Sequence, residues 1–344
     1  MALLLSNKQP AYFPNIQNSN EVFVKYLKDC DSLKIATGYI SADSLIELSK
    51  IVEINHKPKI ELMIGMHYFD GFTRPQYEAA QSLNLILNTK NLGGIYLSNT
   101  RKFHGKMYSF NGNEISPAFM IGSSNLDSCI SKNPINYEAD ILLTDEAIVQ
   151  NYTDYLTAII KSLSVPFETI IIDKFIEKNS LLENQYGVDK VDLVELAELK
   201  NNLTNIKFEI PIKTEPKSNL NAFFGKGRVN NRGFETPRPW YEVELIVSNS
   251  ITQANNYPYC QEFDVITDDG WKFRCKTSGD FSKNFRSNDD LKILGKWIKG
   301  RLENSNCLKV GEPVTERVLR NYGRTNIELV KTKKEDVWYL NFNS

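Results

Sequence analysis

The stretch RKFHGKMYSFNGNEISPAFMIGSSNLD, residues 101–127, gathers side chains that can act together on a phosphate. His104 and Lys106 are two apart, so alternation along an extended chain puts both on one face, with Gly105 opposite. A neutral imidazole is a nucleophile for phosphorus, and an ammonium beside it offers a point charge to phosphate oxygens. The next apolar run closes in GSSN, residues 122–125, where Ser123, Ser124 and Asn125 can donate to those oxygens. Glu138 opens the run after that. A carboxylate there can accept the imidazole's other N–H, fix its tautomer and stabilise it as it gains positive character. Singly, each feature has an ordinary reading: an exposed strand face, a turn, a solvated edge carboxylate. Their order within 35 residues makes the phosphate pocket the stronger one.

The elements that must position these groups are legible as periodic segments. Residues 33–40, 59–67, 93–99, 104–110, 118–124 and 138–144 read as strands. Residues 41–53, 74–87 and 145–163 read as helices, the first with Ser41 or Asp43 as N-cap. Strands alternating with helices, then a cluster of strands, predict an α/β or α+β sandwich around one main sheet. Residues 166–204 are charged, helix-favouring and poor in aromatics, which suits a linker. From about residue 205 strand alternation returns, in 206–213, 241–248, 262–278 and 336–342. Asp269-Gly270 sits between two such runs as a hairpin signal, and a helix is expected near 288–304. The division this predicts is 1–170, a linker over 171–204, and a mostly β domain over 205–344.

Composition narrows the class. The chain has 344 residues, 41% of them hydrophobic and 24% charged, which suits two globular domains rather than disorder. No apolar run approaches a membrane span, and the short apolar start MALLL lacks a basic flank, so no membrane partner and a cytoplasmic location are expected. Five scattered cysteines without a C-x-x-C pair argue against a disulfide framework and against structural zinc. The net charge of −1 divides unevenly: residues 205–344 carry 23 Lys and Arg against 18 Asp and Glu, leaving 18 against 24 for residues 1–204. The C-terminal part is therefore the better surface for a polyanion.

Two of its segments hold most of that charge. Residues 223–240 contain Lys226, Arg228, Asn230, Asn231, Arg232 and Arg238. Residues 272–286 contain Lys272, Arg274, Lys276, Ser278, Lys283, Asn284 and Arg286. Arginine reads guanine edges, asparagine reads adenine, and serine contacts base edges or phosphate. The plain alternative is a pair of solvated loops.

The order H-x-K, then G-S-x-N, resembles the phospholipase D superfamily, with His104, Lys106, Gly122, Ser123 and Asn125 at the matching positions. The aspartate that superfamily carries five residues after the lysine is Asn111 here. Glu138 stands where it can take over the orienting role, as in the metal-independent restriction endonucleases of the BfiI and NgoFVII type. That resemblance implies an α/β (α+β) phospholipase D-like sheet sandwich followed by a mostly-β pseudobarrel B3-like domain. It implies a type II restriction endonuclease that cuts double-stranded DNA through a phosphohistidine, with no cofactor and no metal. Its DNA-reading domain would grip the major groove with two arms, placed where the basic segments fall.

The superfamily's chemistry uses two histidines, and neither His56 nor His67 is followed by a lysine two residues on. The resemblance therefore implies a homodimer in which two copies of His104, Lys106, Asn125 and Glu138 meet. Some relatives work with a separate ATP-dependent helicase-like subunit. This chain has no G-x-x-x-x-G-K-[ST] loop, so any ATP dependence would come from such a partner. Two other readings stay open: a phospholipase D-type phosphodiesterase acting on lipid or other diesters, and a DNA-binding regulator whose nuclease domain is inactive and only dimerises.

Overall fold

The computed structural model describes residues 1–6, 16–130, 136–176, 181–215 and 219–343. They pack as two compact units: Met1–Lys178 with Val229–Thr236, and Asn179–Arg228 with Pro237–Ser344.

The first unit is built on a nine-stranded sheet in the order β10-β6-β4-β3-β7-β8-β9-β1-β2. Its elements run β1 (Ala2–Leu5), β2 (Gln17–Asn18), α1 (Ser19–Asp29), β3 (Ser32–Thr37), α2 (Ala42–Asn55), β4 (Lys59–Ile64), α3 (His67–Asp70), β5 (Phe72–Thr73), α4 (Arg74–Thr89), β6 (Gly93–Ser98), β7 (Met107–Asn111), β8 (Ala118–Gly122), α5 (Leu126–Ile130), β9 (Ala139–Leu143), α6 (Glu146–Leu163), β10 (Ser164–Pro166) and β11 (Phe175–Ile176). β3, β4 and β6 are parallel, joined by crossover helices; β7, β8 and β9 continue the sheet antiparallel. The strands and helices expected from periodicity are present. Ser41 caps α2 by accepting from the Ser44 N–H, and Thr73 with Gln76 forms a capping box on α4.

The pleat decides which side of the sheet each residue serves. Ala36, Met63 and Phe119 face α6, where Val149, Leu156 and Ile160 cover them. Tyr108 and Phe110 point to the other side and pack edge-on against Phe23 of α1, at 5.4 and 5.5 Å. α1 is not among the elements expected from periodicity; Asn18, accepting from the Asn20 and Glu21 N–H groups, starts it as a helix.

In the second unit β12 (Val188–Lys190) pairs with β18, and α7 (Leu193–Asn201) leads into β13 (Leu203–Pro211). Residues 181–204 are thus part of this unit's packing: Val191, Leu196 and Leu199 share a core with Ile266, Val330 and Tyr339. Residues 177–180 of the expected linker lie outside the described residues. The chain continues as β14 (Arg228–Val229), β15 (Glu235–Thr236), β16 (Leu245–Ile246), α8 (Asn249–Thr252), β17 (Glu262–Thr267), β18 (Trp271–Ser278), β19 (Asn284–Ser287), α9 (Lys292–Asn304), α10 (Glu316–Tyr322), β20 (Asn326–Thr332) and β21 (Val337–Asn341). The sheet runs β13-β20-β21-β17-β18-β19-β16, a curled sheet that is antiparallel except where β17 pairs with β21. Asp269-Gly270 makes the β17–β18 turn, with Gly270 at φ +84°. The expected strand over 241–248 shrinks to Leu245–Ile246, since Tyr241 and Val243 are drawn into the core against α9.

Beneath this sheet lies a buried lysine. Lys299 donates to the Trp240 carbonyl at 2.6 Å and sits 3.8 Å over the Trp240 ring, one helical turn from Glu303. Glu303 accepts from Trp240 Nε1 and from the Tyr241 hydroxyl. Burial pulls the Lys299 ammonium down to about 7, against a smaller opposing pull from Glu303. The unfolded chain then binds the extra proton between about 7 and the ordinary lysine value of 10.5, so the stability this residue contributes is present above that window and lost as pH falls through it. In urea titrations from pH 6 to 10, Lys299→Met is expected to flatten the rise in stability by up to about 1.4 kcal/mol per pH unit relative to wild type.

Candidate active site

His104 and Lys106 do not lie inside the ladder of β7; they occupy the extended lead-in that ends at Met107. This lead-in crosses the ends of β3 and β4. The Phe103 N–H donates to the Gly65 carbonyl at 3.1 Å, and a Cβ on Gly65 would stand 2.0 Å from the Phe103 oxygen. A glycine is required there for the chain to pass. The two residues keep the parity of Tyr108, so they look to the side of the sheet that carries α1 and α2. His104 is exposed while Lys106 is buried, and the Lys106 Nζ lies 3.2 and 3.3 Å from the two imidazole nitrogens and donates to the His104 carbonyl at 2.6 Å. Burial lowers the Lys106 ammonium, and the Glu138 charge partly opposes this.

Asn125 reaches the same end of the sheet from the turn after β8. Its Oδ1 accepts from Thr37 Oγ1 at 3.1 Å and from the Tyr39 N–H at 3.2 Å. Holding the oxygen in this way presents the NH2 end as the donor for a ligand. Glu138, just before β9, and Asp140, its second residue, meet the serines of the turn. Ser123 Oγ donates to Glu138 at 2.5 Å, and Ser128 lies 3.4 Å from the same carboxylate. Ser124 gives both its N–H and its hydroxyl to Asp140, at 3.1 and 2.6 Å, and Ser19 of α1 adds a third bond at 2.9 Å. β8 and β9 approach so closely here that a Cβ on Gly122 would stand 2.3 Å from Asp140 Oδ1.

The structure therefore brings His104, Lys106, Asn125 and Glu138 to one end of the sheet, as the spacing predicts. It assigns the serines differently: the hydroxyl protons expected for a phosphate go to Glu138 and Asp140. Within one chain the neighbour of the His104 imidazole is Lys106, while the Glu138 carboxylate is held by Ser123 and Ser128. Asn111 stands at the far end of β7, where its amide donates to Ser109. Sequence reasoning missed Asp140, Thr37 and Tyr39. Asp140 is two residues from Glu138, and that spacing was the available signal.

The basic residues of the second segment fall on one face of a hairpin. Lys272, Arg274, Lys276 and Ser278 alternate along β18, opposite buried Phe273, Cys275 and Thr277. On β19, Arg286 pairs across from Lys276 and Asn284 from Ser278. Several of these cations rest on carboxylates: Arg274 on Glu262, Lys272 on Asp264, Lys283 on Asp280 and Arg286 on Glu244. In the first segment Arg228 and Arg238 both meet the buried Glu242, and Lys226 is exposed.

Asn230, Asn231 and Arg232 belong to the other unit. Asn230 Oδ1 accepts from the Arg232 and Phe234 N–H groups, shaping the turn between β14 and β15. Arg232 pairs with Asp29 at 2.9 Å, and Asn55 exchanges two hydrogen bonds with the Glu235 backbone. The cations of the two segments thus have carboxylate partners both near in sequence, as for Arg238 and Lys283, and distant, as for Arg232 and Arg286.

Two family models match this chain. The NgoFVII restriction endonuclease N-terminal PLD domain matches residues 15–170, and the NgoFVII C-terminal B3-like DNA-binding domain matches residues 198–333. The chain belongs to the phospholipase D-type restriction-endonuclease family and joins its nuclease domain to a B3-like DNA-binding domain. No curated protein matches it. Similar solved structures include a phospholipase D family member, Nuc from Salmonella typhimurium, at 11% identity over 48% of this chain and 95% of that one, with a TM-score of 0.33. NucT from Helicobacter pylori is 16% identical over 43% of this chain and 89% of its own, with a TM-score of 0.30.

Asp140 is the anchor whose removal tests this geometry. Asp140→Ala leaves the Ser124 N–H, the Ser124 hydroxyl and the Ser19 hydroxyl without their acceptor, at an expected cost of about 2–3 kcal/mol in chemical denaturation.

Proposed function

We propose that this chain is a type II restriction endonuclease that hydrolyses DNA at a specific sequence, without a metal ion, through a phosphohistidine at a site shared by two copies. The observation that carries it is the convergence of His104, Lys106 and Asn125 at one end of the sheet in a chain of this family. His104 of one copy attacks the phosphorus, forming an N–P bond as the P–O3′ bond breaks. His104 of the second copy gives its proton to the departing 3′ oxygen. Neutral again, it takes a proton from water, whose oxygen attacks phosphorus and expels the first imidazole, leaving a 5′ phosphate. Lys106 and the Asn125 amide stabilise the non-bridging oxygens, and Glu138 orients the imidazole as charge develops, which requires it to leave the Ser123 and Ser128 hydroxyls that hold it in the single chain.

One histidine of this kind per chain is the reason for two copies. The B3-like domain would supply the sequence, with the basic face of β18 and β19 against the duplex. A pseudobarrel form of that domain belongs to the same reading, as does the option of a helicase-like partner.

Plasmid DNA incubated with the protein in excess EDTA is expected to give discrete ends at one sequence. His104→Ala is expected to abolish cutting while DNA binding persists, and Asn125→Ala to slow it by roughly 10²-fold. Cutting by His104→Ala at the wild-type rate would refute the nucleophile; ends that vanish in EDTA would refute metal independence.

A further inference from the structure

Two residues upstream of His104, Lys102 donates to Asp70 Oδ1 at 2.5 Å. The other oxygen of that carboxylate accepts from the Tyr39 hydroxyl at 2.7 Å. Together the two donors hold the Asp70 carboxyl below its ordinary value, with Lys102 the larger cause. The Tyr39 ring stands edge-on to the His104 imidazole at 5.6 Å between centroids, and the Tyr39 N–H is one of the two donors that fix Asn125. Behind it Tyr39 meets His67 at 5.4 Å. His67 is a satisfied core residue: Nε2 accepts from the Ile40 N–H and Nδ1 lies 2.8 Å from the Gly71 carbonyl. α3, which carries Asp70, is therefore fixed to the wall of the site.

A lysine ammonium and a phenol converging on one carboxylate make a site for a singly charged, two-oxygen anion. A phosphodiester presents the same pair of oxygens. Lys102, Asp70 and the Tyr39 hydroxyl lie toward solvent; the Lys102 side chain is 56% exposed and that of Asp70 29%. An exposed pair of this kind contributes little to stability, so opening it costs little. The two extended residues from Lys102 to His104 span at most about 7 Å, the reach of one nucleotide step.

We infer that Lys102 and the Tyr39 hydroxyl form a second phosphate subsite, for the DNA phosphodiester next to the one His104 attacks, and that Asp70 occupies it until DNA displaces it. The inference rests on the proposal that DNA is cut at His104. On binding, Lys102 exchanges Asp70 for a phosphate oxygen and releases a counterion from the duplex, which enters the salt dependence of binding. Asp70 acts as a competitor for the subsite.

The test uses the full-length chain carrying His104→Ala, a fluorescent 30-base-pair duplex of mixed sequence, EDTA, and anisotropy over a range of KCl. Adding Lys102→Ala is expected to weaken binding several-fold and to reduce the slope of log K against log salt by about 0.9. Adding Asp70→Asn is expected to tighten binding several-fold, and this gain is expected to disappear when Lys102→Ala is also present. Glu114→Gln, the same charge change at an exposed turn between β7 and β8, is expected to leave affinity unchanged. Circular dichroism confirms that each variant is folded.

An unchanged slope in Lys102→Ala overturns the inference. So does a gain in Asp70→Asn that Glu114→Gln reproduces or that survives Lys102→Ala. The underlying reading fails separately, if His104→Ala alone still cuts plasmid.

Discussion

A carboxylate buried without solvent is costly unless donors surround it, and Asp140 is surrounded by three. Those bonds tie the start of α1, the turn after β8 and the start of β9 to one point. Because Glu138 is two residues earlier, just before the same strand, the same tie sets where Glu138 meets Ser123. Because Ser124 is held, Asn125 has one place to stand, and Thr37 and Tyr39 fix which end of its amide faces outward. Gly122 is the steric counterpart of this arrangement: any side chain there would collide with the carboxylate that organises the turn. The phosphate pocket is thus a consequence of how β8 and β9 meet.

Charge pairing recurs as the way this chain handles its basic groups. Glu242 collects Arg228 and Arg238, Glu244 holds Arg286, and Asp70 holds Lys102. Most of these pairs are open to water, where an ion pair contributes little and is screened by salt. Such partners keep the arginines and lysines ordered without binding them tightly, and a polyanion of higher charge density can take their place. Glu242 differs, since it is buried and accepts from two guanidinium groups; Arg238 is therefore better placed to orient a neighbour than to leave for DNA.

Much of the fold was legible because its signals are local. Alternation marked β3, β4, β6, β8 and β9, helical spacing marked α2, α4 and α6, and Asp269-Gly270 marked the turn between β17 and β18. The misses have physical causes of their own. Periodicity does not assign α1; the cap at Asn18 starts it and packing of Phe23 against Phe110 seats it on the sheet. Residues 241–248 alternate like a strand, yet Tyr241 is committed to Glu303, 62 residues away, and most of the segment leaves the ladder. His104 and Lys106 read as strand residues and lie just outside one, in a lead-in that Gly65 admits.

The sequence by itself determined the order of elements, the candidate nucleophile His104, its ammonium neighbour and the amide that follows, since residue type and spacing of two suffice for those. Only the tertiary structure decided that Asp140 anchors the turn, that the serine hydroxyls serve carboxylates, and which carboxylate holds each cation. Those pairings join residues up to 203 positions apart, and no local periodicity encodes a partner at such a distance; it is fixed only when strands and helices have packed.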